Sequence, residues 1–249
     1  MPIRSFLTQS RVEAIVVIDS SSTTITASTT SGRATSSGDY AFETRSTSKS
    51  LKRGLDVSVV VFALIVFLPL ILTIVALLVL TQGRPILFRH HRVGRGGKVF
   101  PCFKFRTMAV QGDDILRRHL ATNAEARSEW DETRKLKNDP RITPLGHILR
   151  KSSIDELPQF MNILRGEMSL VGPRPIVDDE VKYYGPHIKH YYLVRPGLTG
   201  AWQIAGRNDV SYSTRVQLDS DYVANWSFGR DLSILVKTVP AVLRSKGSY

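Results

Sequence analysis

The stretch Leu64–Thr73, "LIVFLPLILT", lies at the centre of the long apolar run Val57–Leu80, in which Ser58 and Thr73 are the sole polar residues. Such a run is long enough to cross a hydrocarbon core of about 30 Å as one helix. Pro69 interrupts it near the middle, removing a backbone hydrogen bond and crowding the preceding turn. Basic residues flank both ends, Lys52 and Arg53 on one side and Arg84, Arg89, Arg92 and Arg95 on the other. Because Lys and Arg beside a membrane segment tend to stay on the cytoplasmic side, this symmetry favours a segment that enters, turns at Pro69 and leaves by the same face. A proline-kinked spanning helix is the alternative left open by these residues alone.

Around this run the 249-residue chain divides into three parts. Residues 1–50 are dominated by Ser and Thr and carry too little apolar surface to offset the entropy of ordering, so a disordered tail is expected. Residues 51–83 form the membrane element, and residues 84–249 are long enough for one catalytic domain. The formal net charge of +12 suits an anionic partner. The basic residues cluster beside the membrane segment and no recognition motif accompanies them, so nucleic acid is not expected as a partner. Cys102 is the single cysteine, which excludes an intramolecular disulfide and a Cys-rich zinc site.

Local patterns place the elements of the domain. Two apolar-alternating runs in Pro85–Met108 surround the glycines of Gly94–Gly97 and predict a hairpin, dense in Lys and Arg and without an acid. Asp113–Lys137 reads as one polar-faced helix capped by Asp113 or Asp114. Thr143-Pro144 opens a short helix through Arg150. Ile154, Leu157, Met161 and Leu164 form the stripe of an amphipathic helix ending at Gly166. The segment Asp231–Leu243 is apolar and either lies in the membrane surface or closes the core.

That amphipathic pattern puts Asp155 and Glu156 in the first turn of a helix, where the dipole and free N–H groups favour negative charge. A capping box with Ser152 or Ser153 is the plain explanation. Their neighbours point to chemistry instead: Arg150 and Lys151 precede the acids, while Arg174 in "VGPRP" and Arg195 in "RPGLTG" sit on backbone stiffened by proline. Lys104 and Arg106 sit in the aromatic "FKFRTM" run. Carboxylates among fixed cations on a membrane-tethered domain describe a site for a phosphorylated substrate and a divalent metal. Asp219 and Asp221 in "QLDSDYVANWS" could face this site or serve as solvated or capping groups. The rival reading, a silent membrane scaffold, leaves the acids between arginines unexplained.

Several long motifs in order, "KRGLDV", "KFRTM", "DPRITPLGHILRKSSIDELPQFMNILRGEMSLVGPRP", "RPGLTGAWQIAGRN" and "YVANWS…DLSILVKTV", make residues 51–249 resemble the bacterial sugar transferases, or monotopic phosphoglycosyl transferases. Within that family the chain is similar to galactose-1-phosphate transferases that begin exopolysaccharide assembly. The resemblance implies a mostly helical α/β monotopic membrane protein: a re-entrant membrane helix broken at Pro69, amphipathic interfacial helices, and a small catalytic domain on the cytoplasmic face of the bacterial inner membrane. It implies a UDP-hexose donor, galactose before glucose, with undecaprenyl phosphate as acceptor and UMP as product. Asp155 matches the nucleophile that forms a covalent phosphosugar intermediate, and Glu156 a partner acid. Both acids would hold Mg²⁺, or Mn²⁺ in its place, with Lys104, Arg106, Arg150, Arg174 and Arg195 on phosphates. Membrane lipids are implied as partners, and a homo-oligomer is left open. One departure stands out: many members have Ser before the proline, where this chain has Leu68.

Overall fold

The computed structural model describes residues 46–206 and 210–243. The expected Ser/Thr-rich tail lies outside the described residues up to position 45. At its C-terminal edge, where the tail was expected to run on to residue 50, helix α1 (Ser46–Gln82) has already begun. It contains one stretch, Ser50–Gln82, long and apolar enough to cross a membrane, with a mean hydropathy of 3.2 over an 18-residue window.

The helix does not stop at Pro69, which lies inside it. One lost N–H bond leaves the flanking turns bonded, and the Thr73 hydroxyl donates to the Pro69 carbonyl at 2.9 Å. Ile65 to Leu70 are all exposed. The two arms behave differently from this bare middle. Val60 packs with Phe160, Ile163, Met168 and Trp226 in the main core. Ile74 and Leu78 pack with Phe105 and Leu149 in a second cluster. Both arms therefore belong to the same folded body.

Polar anchors fix each arm. Lys52 Nζ lies 2.6 Å from Asp231 Oδ2 and donates to the Val171 carbonyl at 3.0 Å. Asp231 is fully buried and also accepts from the Tyr222 hydroxyl at 2.6 Å and from Trp226 Nε1 at 3.2 Å. One turn further on, Asp56 accepts from Ser169 Oγ at 2.8 Å and from the Leu170 N–H at 3.1 Å. At the far arm, Gln82 Nε2 donates to Thr143 Oγ1 at 3.0 Å.

The predicted hairpin is present as β1 (Leu87–Val93) and β2 (Val99–Phe105), antiparallel, joined through a 3₁₀ turn at Arg95–Gly97. The polar segment after it is not one helix. It forms α2 (Gly112–Thr122) and α3 (Ala124–Thr133), with Asn123 extended between them. Asn123 accepts from the Ala126 N–H and caps α3, whereas neither Asp113 nor Asp114 occupies a cap position. An Asn able to start a new helix outcompetes continuation of the old one.

Helix α4 (Pro144–Lys151) starts as expected, with the Thr143 hydroxyl accepting from the Gly146 N–H at 3.0 Å. Gly146 presses on Thr107, and a Cβ there would collide with the Thr107 backbone. A 3₁₀ turn at Ile154–Glu156 precedes α5 (Gln159–Arg165), which ends at Gly166 with φ 77°. Strand β3 (Ser169–Val171) pairs in parallel with β4 (Gly197–Thr199). Between them lie α6 (Val181–Tyr184) and α7 (Ile188–Leu193), and α8 (Ala201–Ala205), α9 (Tyr212–Ala224) and α10 (Phe228–Leu243) complete the body. The architecture is thus mostly helical with two small sheets. Helix α10 closes the core through Asp231 and Ile234, while Leu232, Val236 and Val239 stay exposed on the opposite face.

Replacing Lys52 with Met strands the buried Asp231 carboxylate without its cation, a change expected to cost about 3 kcal/mol. Thermal unfolding in detergent should show a clearly lowered midpoint for Lys52→Met and a smaller drop for Lys52→Met combined with Asp231→Asn.

Candidate active site

Asp155 and Glu156 do not sit in the first turn of the amphipathic helix. They occupy the separate 3₁₀ turn ahead of α5, entered through Ser153 in the left-handed conformation at φ 57°. Ser153 makes no side-chain cap bond and Ser152 Oγ donates back to the Ile148 carbonyl at 2.8 Å, so the capping-box explanation does not describe these acids. Asp155 is buried, although it belongs to a residue type almost never fully buried without a partner.

The hairpin supplies the facing cation. Lys104 Nζ lies 2.7 Å from Glu156 Oε1 and 3.7 Å from Asp155 Oδ2. Lys104 is therefore committed to Glu156 and only adjacent to Asp155. Burial opposes charge on Lys104, but the two acids outweigh it and raise its pKa. Burial likewise opposes charge on Glu156, yet Lys104, Arg174 and Arg92 together hold its carboxyl below the usual range. At Asp155 burial wins: its pKa is raised despite Lys104 and Arg150, with Glu156 adding to the rise.

Arg150 reaches this site from α4, its Nε donating to Thr107 Oγ1 at 2.8 Å while its charge acts on Asp155. Arg174 is exposed, near enough to Glu156 to stabilise its charge, and stacks 5.7 Å from the Trp202 ring centroid. The structure thus gathers Lys104, Arg150 and Arg174 around the two acids.

Two of the expected phosphate ligands lie elsewhere. Arg106 is buried and donates to the Gln82 and Gly83 carbonyls at 2.6 and 3.0 Å, capping the end of α1. Arg195 Nε donates to the Gly166 carbonyl at 2.6 Å, beyond the far end of α5 from Asp155. Arg53 joins it there, donating to the Ile163 and Leu164 carbonyls at 2.6 and 2.9 Å. Cations at the C-terminal end of a helix satisfy carbonyls that lack an intrahelical donor.

Arg92 was not assigned to the site from sequence. It donates to the Pro175 carbonyl at 3.2 Å, lies 3.7 Å from Glu180 and lowers the Glu156 pKa. The signal was the hairpin alternation: Phe88 pairs with Lys104, His90 with Cys102 and Arg92 with Phe100, so Arg92 and Lys104 project from one face. Cys102 on that face is buried and its thiol is pushed up to about 11 by burial.

The other weighed acids take structural places. Asp221 is tied to Arg230 on the surface. Asp219 is buried behind Arg174, accepting from the Tyr184 hydroxyl at 3.0 Å and from the Arg174 N–H. Its Oδ1 has no partner among the described residues. Burial raises its pKa to about 7, against about 3.9 for an unfolded aspartate.

No cluster of three or more His, Cys, Asp or Glu side chains among the described residues could hold a metal unaided. Asp155 and Glu156, whose carboxylates both approach Lys104, could contribute oxygen ligands to Mg²⁺, a hard cation commonly held by one or two carboxylates together with substrate phosphates.

The bacterial sugar transferase family matches residues 47–245, and the chain belongs to it. It is 53% identical over 198 residues to the exopolysaccharide production protein ExoY of Rhizobium meliloti strain 1021, covering 80% of this chain and 88% of that protein. It is 49% identical over 202 residues to the undecaprenyl-phosphate galactose phosphotransferase of Salmonella typhimurium strain LT2, covering 81% of this chain and 42% of that protein. A UDP-glucose:undecaprenyl-phosphate glucose-1-phosphate transferase of Caulobacter vibrioides is 38% identical over 206 residues, covering 80% and 72%.

Asp219 generates a pH prediction. Its raised folded-state pKa means that the folded protein retains a proton the unfolded chain releases, so its stabilising effect is full below about pH 4 and is lost as pH rises through about 7. Between pH 5 and 8 the unfolding midpoint of the wild type should fall relative to that of Asp219→Asn. Parallel curves would assign the proton elsewhere.

Proposed function

We propose that the protein transfers hexose-1-phosphate, with galactose the first candidate, from a UDP-hexose to undecaprenyl phosphate, releasing UMP and opening exopolysaccharide assembly. The observation that carries this reading is the division of labour at the acid pair. Glu156 holds Lys104, whereas Asp155 is buried among cations, 3.7 Å from Lys104 and with no hydrogen bond to another side chain among the described residues. A desolvated carboxylate that no other side chain engages, surrounded by positive charge, is suited to attack an electron-poor phosphorus.

In the first half-reaction an Asp155 carboxylate oxygen bonds to the phosphorus that bears the sugar. The bond from that phosphorus to the oxygen bridging it to the UMP phosphate breaks, and UMP departs with the electron pair. In the second, a lipid phosphate oxygen attacks the same phosphorus, the bond to Asp155 breaks, and the carboxylate is regenerated. Arg150, Arg174 and Arg92 offset charge on the transferring and leaving phosphates. Asp155 and Glu156 would hold Mg²⁺ with the diphosphate, and the ion when bound supplies further neutralisation of phosphate charge. Lys104, held by Glu156 beside Asp155, would be the nearest cation to a phosphate at the acid pair.

The same reading sets the domain at the cytoplasmic face of the inner membrane, with α1 re-entrant. If straight, the helix would carry Lys52 and Gln82 about 45 Å apart, on opposite sides of a crossed bilayer. Their bonds to Asp231 and Thr143 of one folded body support entry and exit by one face. Galactose is favoured over glucose by the higher identity to the relative named for galactose.

Purified protein with Mg²⁺ and undecaprenyl phosphate should release UMP from UDP-galactose, and Asp155→Asn should lower that rate by at least about 10³-fold. Mass spectrometry of wild type incubated without lipid should show one hexose-phosphate on Asp155. Turnover by Asp155→Asn at the wild-type rate would remove the nucleophile assignment, and UMP release from UDP-glucose alone would move the donor from galactose to glucose.

A further inference from the structure

Beside the second arm of α1, between that helix and strand β1, runs an open groove of about 620 Å³. Val75 and Val79 form one wall, Leu87 and Phe88 the other, and Arg84 and Arg89 stand along it. Its volume falls in the range of small-molecule sites. Phe88, Leu87 and Val79 are exposed, so apolar surface is presented next to the membrane helix. Among the described residues neither Arg84 nor Arg89 forms an ion pair with a carboxylate, and no acid lines the groove.

The hairpin register connects this groove to the acid pair. Phe88 is the direct cross-strand partner of Lys104, whose ammonium touches Glu156. Directly paired side chains share a sheet face, with Cβ atoms about 5 Å apart. Phe88 thus lies at the strand position beside the cation that faces Asp155 and Glu156.

We propose that this groove holds the polyprenyl chain of the acceptor lipid and delivers its phosphate to Lys104, an inference that rests on the lipid-acceptor reading above. Three observations select this occupant: an apolar trough beside the membrane helix, cations along it that have no carboxylate partner among the described residues, and a lining residue, Phe88, paired across the hairpin with Lys104. A polyprenyl phosphate has the same order of chemistry, apolar along its length and anionic at one terminus. Lipid tails are as apolar as the groove wall, so moving the chain from the bilayer gains little hydrophobic energy. The groove acts through alignment and through the arginines, which places its effect on acceptor KM.

Val79 is exposed, so Val79→Trp can fill the groove without displacing core. In phosphatidylethanolamine and phosphatidylglycerol vesicles, Val79→Trp should raise KM for undecaprenyl phosphate about tenfold, equivalent to about 1.4 kcal/mol, and leave KM for UDP-hexose unchanged. The rise should be smaller for geranyl phosphate, whose short chain occupies less of the groove. An unchanged acceptor KM, or equal rises for both chain lengths, would overturn the assignment. Independently of that variant, a photoreactive benzoylphenylalanine replacing Phe88 should crosslink undecaprenyl phosphate; capture of phospholipid alone would assign the groove to bulk lipid. Wild-type protein that transfers to no polyprenyl phosphate would instead fail the acceptor reading itself, and the groove assignment with it.

Discussion

The contact on which the rest depends is the one between Lys52 and Asp231. Burying a carboxylate is costly unless it is paired and hydrogen-bonded, and Asp231 meets that condition through Lys52, Tyr222 and Trp226 together. These partners come from α1, α9 and the link before α10, and Asp231 itself lies on α10, so one charge joins the membrane element to the C-terminal helices. With Asp56 bonded to Ser169 and Leu170 one turn later, the azimuth of the helix is fixed as well as its position. The apolar middle of α1 has no comparable contacts, and its environment must come from outside the described protein. A membrane is the solvent in which that surface has no cost.

From this anchorage the site follows by short steps. The second arm of α1 ends on Arg106 and Thr143, and Thr143 caps α4, whose last turn carries Arg150. Gly146 lets α4 close on Thr107, the residue that receives Arg150. The acids follow immediately on their own turn, opposite Lys104. Polar groups placed by elements of different sequence separation thus converge through caps and one close backbone approach. This arrangement is more exacting than a cation on a loop, because each side chain is positioned by an element that packs elsewhere.

Much of this order was legible in the chain. The hairpin, the Thr143 cap and the stop at Gly166 each rest on local chemistry that no distant contact overrides. The acid pair was legible because Asp155-Glu156 lies among several cations in sequence. Local patterns misled where two outcomes share one signature. Asn123 sits in a polar stretch that reads as continuous helix, and its side chain breaks the run by accepting from the Ala126 N–H as a cap. The stripe from Ile154 to Leu164 is continuous, but Ser153 enters the left-handed region and a proline follows the acids, giving a 3₁₀ turn before the helix proper. Arginines were the least legible residues. Arg106 and Arg195 satisfy backbone carbonyls, while Arg92 faces the acids, and a sequence does not distinguish a guanidinium needed by a helix end from one available to a phosphate.

Cys102 bears on a different matter. It is the single cysteine of the chain, buried against α5, with its thiol held far from ionisation. Thiolate is the reactive form, so at neutral pH this side chain is chemically quiet. The natural protein therefore behaves toward alkylating reagents almost as a cysteine-free background. A reporter thiol can be introduced at either arm of α1 or along α10 without first removing a native one, and the sidedness of the whole molecule can be mapped in the membrane it was made in.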